Sequence, residues 1–250
     1  MNIVGIIPSR FASTRLPAKP LVDICGKSMI QRVYEQAKQS ALLSDIIVAT
    51  DDDRIATVVR SFGGNVQLTP IDIQSGSDRI AMVAKNYNMD IVVNIQGDEP
   101  LIDPKLIDQT IQLLIDDKEA VVGTAVKKTL LPQDIFNSNV VKVVLDKNNY
   151  ALYFSRSPIP YIRDAKKNDD WLNGSPFYKH FGIYTYRADF LQKYSTMKQS
   201  LLETSEKLEQ LRILENGFKI KCVITEYESI PVDTQEDLLR VIDVIKNHSH

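Results

Sequence analysis

Three cations, Arg10, Arg15 and Lys19, stand within ten residues in the segment Pro8-Ser9-Arg10-Phe11-Ala12-Ser13-Thr14-Arg15-Leu16-Pro17-Ala18-Lys19-Pro20. The hydroxyls of Ser13 and Thr14 are interleaved with them, and prolines stiffen both ends. Fixed charges and hydroxyl donors of this kind suit a polyphosphate, wrapped by side chains rather than by a glycine cradle. A solvated basic loop is the plainer reading. Asp98 lies in Asn94-Ile95-Gln96-Gly97-Asp98-Glu99-Pro100, just past an apolar run. A carboxylate facing a phosphate loop makes sense when a cation sits between them, and magnesium is commonly held by one or two carboxylates plus substrate phosphates. Capping of the Pro100 turn is the alternative for Asp98. Asp233, in Ile230-Pro231-Val232-Asp233-Thr234, becomes a metal ligand only in company with Asp98. Alone, it or Thr234 would cap the last helix.

Two further groups carry polar chemistry. Asp72-Ile73-Gln74-Ser75-Gly76-Ser77-Asp78-Arg79 is a small polar turn in which Gly76 permits close backbone approach to a ligand; an ordinary helix cap explains it equally. Arg156, Arg163, His180 and Gln210 sit beside aromatic or apolar residues, as in a pocket for a hydroxylated, acidic small molecule. Each also fits a surface or packing role, and Glu206 and Glu209 fit a solvated face. Other signatures fail. Gly26-Lys27-Ser28 lacks the glycine five residues before its GK that a P-loop needs, because Leu21 stands there. No G-x-G-x-x-G or G-x-S-x-G occurs. Asp51-Asp52-Asp53 matches no calcium loop and reads as a solvated helix start.

These residues need a frame. Ile3 to Ile7, Asp45 to Thr50, Val66 to Thr69, Ile91 to Ile95 and Ala120 to Val126 read as strands. Helices alternate with them. One starts at Ser28 with Gln31 three residues on, one at Asp51 or Asp52, one at Ser77 or Asp78, and one at Asp103 with Pro104 as its first residue. Alternation of this kind predicts an α/β fold with a mostly parallel, doubly wound sheet. Loops at the carboxyl ends of such strands are where ligands bind. The second half changes character. Val140 to Leu145 and Tyr150 to Phe154 predict a hairpin, 156–178 an irregular excursion, Lys179 to Tyr186 and Lys219 to Glu226 strands, Leu201 to Glu215 a helix, and Thr234 the cap of a final helix. The economical picture is one α/β domain over 1–250 with an embedded, smaller antiparallel lobe at about 127–218.

Composition sets the outer bounds. The 250 residues are 44% hydrophobic and 25% charged, an ordinary globular mix. A net charge of -2 argues against nucleic acid as the partner. Cys25 and Cys222 match no zinc spacing and read as free thiols. His180, His248 and His250 are too few for a histidine-rich metal site. No positively charged leader precedes the first apolar run. No stretch reaches the about 18 apolar residues of a membrane span. A cytoplasmic protein without membrane insertion is the default expectation.

The segments together resemble the 3-deoxy-manno-octulosonate (Kdo) cytidylyltransferases, or CMP-Kdo synthetases. The resemblance rests on I-I-P-S-R-F-A-S-T-R-L-P-A-K-P-L, I-V-A-T-D-D, Q-S-G-S-D-R, V-N-I-Q-G-D-E-P-L-I, N-S-N-V-V-K-V-V-L-D, Y-A-L-Y-F-S-R-S-P-I-P, K-H-F-G-I-Y-T-Y-R, L-E-Q-L-R-I-L and V-D-T-Q-E-D-L, in family order from residue 3 to about 240. It implies a nucleotide-diphospho-sugar transferase-like fold and transfer of CMP from CTP to Kdo, an acidic eight-carbon sugar, with release of pyrophosphate. It implies that Arg10, Ser13, Arg15 and Lys19 hold the CTP phosphates, Arg15 and Lys19 as catalytic cations, and that Ser75, Gly76 and Arg79 lie near the nucleotide. Asp98 and Asp233 would bind catalytic Mg2+. Gln96, Arg156, Arg163, His180, Tyr184, Glu209 and Gln210 would line the sugar site. It further implies a cytoplasmic homodimer serving lipopolysaccharide synthesis in Gram-negative bacteria.

Two departures stand out. Ile73 replaces the histidine of the usual D-H-x-S-G-T, and Pro231 the glycine of the usual G-V-D-T. Neither touches the proposed metal ligands, and both leave room for a modified sugar such as 8-amino-Kdo. More distant alternatives are a metal-dependent glycosyltransferase, since Asp51-Asp52-Asp53 formally fits D-x-D, and a non-catalytic nucleotide-sensing module. The basic loop disfavours the first, and the retention of Asp98 and Asp233 disfavours the second.

Overall fold

The computed structural model describes residues 1–12, 16–73, 75–167 and 170–248. Element order is β1 (Ile3–Ser9), β2 (Asp23–Ile24), β3 (Lys27–Ser28), α1 (Met29–Ala37), β4 (Asp45–Thr50), α2 (Asp53–Ser61), β5 (Asn65–Leu68), α3 (Gly76–Ala84), β6 (Ile91–Asn94), α4 (Pro104–Asp116), β7 (Val122–Lys128), α5 (Pro132–Phe136), β8 (Lys142–Leu145), β9 (Ala151–Ser155), α6 (Trp171–Gly174), β10 (Tyr178–Arg187), α7 (Ala188–Ser195), α8 (Leu201–Glu206), α9 (Leu211–Glu215), β11 (Ile220–Ile224) and α10 (Gln235–His248). The fold is α/β, and the chain resolves into two compact units. One comprises Met1–Asp108, Tyr186–Ser195 and Glu228–His250; the other comprises Gln109–Thr185 and Thr196–Tyr227.

In the first unit, β1 lies between β6 and β4, and β5 follows β4, all four parallel. Val4, Ile6, Ile7, Ile47, Val48, Ile91, Val92 and Val93 are buried in sequence-adjacent runs. Both faces of this sheet are therefore covered, which is why these strands are nearly continuous apolar runs rather than alternating ones. Strand β1 continues through Pro8 to Ser9, paired with Thr50, so the polar loop starts later than the proline suggests. Helix α1 is capped by Ser28, whose side chain accepts from Gln31 N–H, as the spacing predicts. Helix α3 begins earlier than expected. Its cap is Ser75, not Ser77 or Asp78, with the Ser75 side chain accepting from Asp78 N–H. Gly26-Lys27-Ser28, the false P-loop, belongs to the β2–β3 hairpin. Its turn residues Cys25 and Gly26 have φ of 52° and 81°, a left-handed pair typical of two-residue hairpin loops.

In the second unit, β11 runs parallel to β7, and β8 pairs antiparallel with β9 and with β10. The β8–β9 hairpin falls where the sequence predicts it. The expected helix from Leu201 to Glu215 is instead two, α8 and α9. Lys207 between them takes φ 55°, and the buried guanidinium of Arg212 donates to the Glu203 carboxylate at 2.8 and 2.5 Å. That pair joins α9 to α8 across the turn. Short helices α5, α6 and α7 had no distinct sequence signal. Both cysteines are free; Cys25 is exposed and Cys222 buried. Among the described residues, no helix is long and apolar enough to cross a membrane.

Candidate active site

The carboxyl ends of β1 and β6 are adjacent, because β1 and β6 pair in parallel register. The loops that leave them, with the segment before α10, enclose a cavity of about 390 Å³. Its wall includes Ser9, Arg10, Lys19, Gln96, Asp98 and Asp233. Gly97 is required here by space. A Cβ on it would stand 3.1 Å from the Pro8 carbonyl oxygen, tighter than a side chain ordinarily accepts.

Lys19, Asp98 and Asp233 meet at one point. Lys19 Nζ donates to Asp98 Oδ2 and to Asp233 Oδ1, each at 2.8 Å. Burial opposes the charge on Lys19, but the two carboxylates outweigh it and hold its pKa above the ordinary lysine value. The loop bends to deliver this side chain through Ala18, which takes a left-handed φ of 52° before a short 3-10 turn at Lys19–Leu21. The two carboxylate loops are stitched together by Val232 N–H donating to the Asp98 carbonyl at 2.9 Å.

The capping ambiguity at Asp233 resolves locally. Thr234 Oγ1 accepts from Asp237 N–H at 3.2 Å. The Asp237 carboxylate in turn accepts from Thr234 N–H, Thr234 Oγ1–H and Asp233 N–H. Thr234 is the cap, and the Asp233 carboxylate accepts from Lys19. The four-residue pattern Thr234 to Asp237 was a readable capping signal. Glu99, beside Asp98, was not singled out by sequence. Burial pushes its pKa up to about 7, with Asp98 adding to the rise and a hydrogen bond from Ser229 opposing it.

Around this centre, the Arg10 guanidinium donates to the Ile73 carbonyl. Position 73 thus serves through its backbone, whatever its side chain. Arg54 lies 3.3 Å over the Phe11 ring and is paired with Asp52 at 2.6 Å. Ser13 and Arg15 lie outside the described residues. Ser75 caps α3, and Gly76 packs near Pro8. Arg79 is fully buried. It donates to Thr69 Oγ1 and to Asp51 Oδ2, the latter at 2.6 Å. Its guanidinium thus ties the ends of β4 and β5 to α3. Asp51, read as solvated, is the partner of that buried charge. Ser9 Oγ is buried without a hydrogen-bond partner among the described residues.

The remaining candidates, apart from Gln96 at the cavity wall, belong to the second unit. His180 Nε2 is 3.0 Å from Thr124 Oγ1, and its ring packs edge-on against Phe154. Desolvation pushes its pKa down to about 3, so it is a neutral imidazole at physiological pH. The Arg156 guanidinium donates to the carbonyls of Glu206 at 2.7 Å and Ser138 at 3.0 Å. Its backbone N–H donates to the Glu206 carboxylate. Arg163 and Glu209 are exposed, Tyr184 is half-buried, and Gln210 is buried at the start of α9.

A second cavity, of about 490 Å³, is lined by Arg32, Glu35, Gln36, Gln39, Pro100, Leu101, Val244 and Ile245. Its charged groups are engaged. Arg32 donates to the carbonyls of Ile24 and Cys25, and Glu35 accepts from Lys27 and Gln31. The larger hollow therefore lacks the converging charges of the smaller one.

Two carboxylates set opposite a basic loop are a donor set for a hard divalent cation, whose remaining positions substrate oxygens and water would fill. Among the described residues no cluster of three or more metal-ligating side chains exists. The family model for cytidylyltransferases matches residues 4–221. The chain is 50% identical over 250 residues to the 3-deoxy-manno-octulosonate cytidylyltransferase of Geobacter sulfurreducens, covering 98% of this chain and 100% of the relative. The enzyme of that name from Chloroherpeton thalassium is 48% identical, with 96% of each chain covered. Among solved structures, CMP:2-keto-3-deoxy-manno-octonic acid synthetase complexed with CTP superposes with a TM-score of 0.93 at 40% identity, covering 99% of this chain and 100% of that one.

Proposed function

This chain belongs to the 3-deoxy-manno-octulosonate cytidylyltransferase family, and we propose that it joins CTP and Kdo to give CMP-Kdo and pyrophosphate. The observation that carries the reading is the meeting of Lys19, Asp98 and Asp233 beside Arg10 in one cavity. The anomeric hydroxyl oxygen of the sugar bonds to the α-phosphorus, the bond from that phosphorus to the bridging oxygen breaks, and pyrophosphate leaves with the hydroxyl proton released. No enzyme nucleophile is needed. Such transfers depend on positioning and charge stabilisation.

Arg10 and Lys19, with Ser13 and Arg15, bind the phosphates, and Lys19 and Arg15 offset charge building on the leaving pyrophosphate. Asp98 and Asp233 hold Mg2+. The chemistry supplied by that ion is neutralisation at the α-phosphate and a lower pKa for the attacking hydroxyl. Ser75, Gly76 and the buried Arg79 shape the nucleotide side. Gln96, Arg156, Arg163, His180, Tyr184, Glu209 and Gln210 form the sugar side, with His180 neutral and Arg156 acting mainly on backbone carbonyls. The product feeds lipopolysaccharide synthesis, and family kinship supports a cytoplasmic homodimer.

The test is pyrophosphate release with CTP and magnesium, run in parallel with Kdo, 8-amino-Kdo and sialic acid. Release with Kdo is expected. Release with 8-amino-Kdo alone would reassign the sugar. Silence with all three, from folded protein that still binds CTP, would overturn the reading in favour of a nucleotide-sensing module. Light scattering at micromolar concentration checks the dimer.

A further inference from the structure

We infer that the Lys19 ammonium is a resident counter-cation of the Asp98–Asp233 pair, and that a divalent cation takes both carboxylates only after a polyphosphate has drawn Lys19 away. The inference rests on the functional reading above, and extends it to the order in which the site is filled.

The geometry separates fixed from movable partners. Asp98 and Asp233 sit on loops bonded to each other through Val232 N–H and the Asp98 carbonyl. The Asp233 backbone is further fixed by Asp237. Lys19 reaches them on a flexible four-carbon stem carrying a compact point charge. Its side chain is the most enclosed of the three, 14% exposed against 31% and 37% for the carboxylates. The ammonium stands 2.8 Å from one oxygen of each. Magnesium binds oxygen at about 2.0–2.1 Å in strict octahedral geometry. It cannot take both carboxylates while an ammonium occupies the point where they converge, because the two cations repel at that separation.

The same cavity supplies the release. Arg10 and the Ser9 hydroxyl, which has no hydrogen-bond partner among the described residues, line its wall with Lys19. Phosphate oxygens bound there offer the ammonium a new set of negative partners. A nucleotide therefore vacates the carboxylates as it arrives. Linkage makes the effect reciprocal, so metal and nucleotide strengthen each other by one factor.

The experiment is titration of the nucleotide-free protein with Mn2+, read by the paramagnetic resonance of the free ion. Wild type is compared with Lys19→Met, Lys19→Gln, Arg10→Met and the double variant Lys19→Met with Asp98→Asn. Both Lys19 variants should bind Mn2+ more tightly by about fivefold or more, within the usual span of such couplings. Arg10→Met removes a charge from the same cavity without freeing the carboxylates, and its Mn2+ affinity should match wild type. The double variant should lose the gain. Unchanged or weaker Mn2+ binding in the Lys19 variants, or an equal gain in Arg10→Met, would overturn the inference. Should neither Lys19 variant fold, the 15N resonance of the wild-type Lys19 ammonium serves instead. It should shift on adding CTP without metal, and constancy would overturn the proposal. Pyrophosphate release with unchanged metal affinity would sink this inference alone. Tighter Mn2+ binding in the Lys19 variants, with no turnover by the wild-type protein, would sink the functional reading alone.

Discussion

At the scale of single residues, the site is a question of which charge each carboxylate faces. Asp98→Asn keeps the shape of the side chain and removes the charge that a cation or the Lys19 ammonium needs. Turnover should fall by about 100-fold or more, the size typical of a lost transition-state electrostatic contact, with an unaltered far-UV spectrum. Steady-state pyrophosphate release checks it. The two thiols make a second contrast. Cys25 is exposed on its hairpin, whereas burial pushes the Cys222 thiol up to about 12, with Asp146 adding to the rise and Lys221 opposing it. An Ellman titration should count one reactive thiol in the native protein and two in guanidinium, because the thiolate is the reactive form. Much of this scale was legible in the sequence. Asp98 is marked by its place after a buried strand, and Thr234 by the carboxylate three residues on. The Lys19 contacts were not legible, since its partners lie 79 and 214 residues away. Arg79 and Asp51 show the same limit, because nothing local tells a buried ion pair from a solvated one.

Elements follow local rules until a buried charge overrides them. The strands and the β8–β9 hairpin were readable from apolar runs and the Asp146-Lys147-Asn148-Asn149 turn. The stretch from Leu201 to Glu215 has helical composition throughout, yet it breaks at Lys207 so that Arg212 reaches Glu203. Both side chains are nearly inaccessible, at 7% and 5%. Removing one member of such a pair leaves an uncompensated buried charge, a loss of about 3–5 kcal/mol. Arg212→Met should therefore lower the urea midpoint markedly without changing the slope. Replacing both partners, Glu203→Leu with Arg212→Met, should recover most of that loss. Recovery in the double variant separates charge burial from a packing defect. Gly26 tests the hairpin in the same way. At its φ of 81° a side chain is strained, so Gly26→Val should cost about 1 kcal/mol or more.

For the whole molecule, the proton balance sums groups of opposite sign. His180 has a folded pKa of about 3 against an ordinary 6.5. The unfolded chain therefore binds more protons between those values, and stability falls as pH drops through that window. Asp117 is held down at about 2 against 3.8, chiefly by the hydrogen bond from the Tyr150 hydroxyl. Its contribution is present above pH 3.8 and is lost between 3.8 and 2. Both act in the same direction. Glu99 acts in the other, because its folded pKa of about 7 stands above the ordinary 4.5, so stability rises as pH falls between those values. His180 and Glu99 therefore oppose each other down to pH 4.5, and the melting temperature should decline below that pH. In His180→Asn the Glu99 contribution stands unopposed, so the melting temperature should rise as pH falls from 7 to 4.5, which calorimetry across pH will read. The alternation of strand and helix made the α/β class visible from sequence. The division into interleaved segments was not visible, because no composition shift or linker marks where the chain leaves one compact unit and enters the other.

That interleaving bears on the moment at which the protein acquires chemistry during its own manufacture. The unit carrying Lys19 and Asp98 is completed by Glu228–His250, which brings Asp233 and α10. A nascent chain on the ribosome has made its basic loop and first carboxylate long before residue 233 exists. Until then Lys19 has one acidic partner and the cavity lacks a wall. Translation products stalled or released before that point hold the basic loop and Asp98 without the full ionic centre. Nucleotide turnover is thereby reserved for chains whose synthesis has passed residue 233.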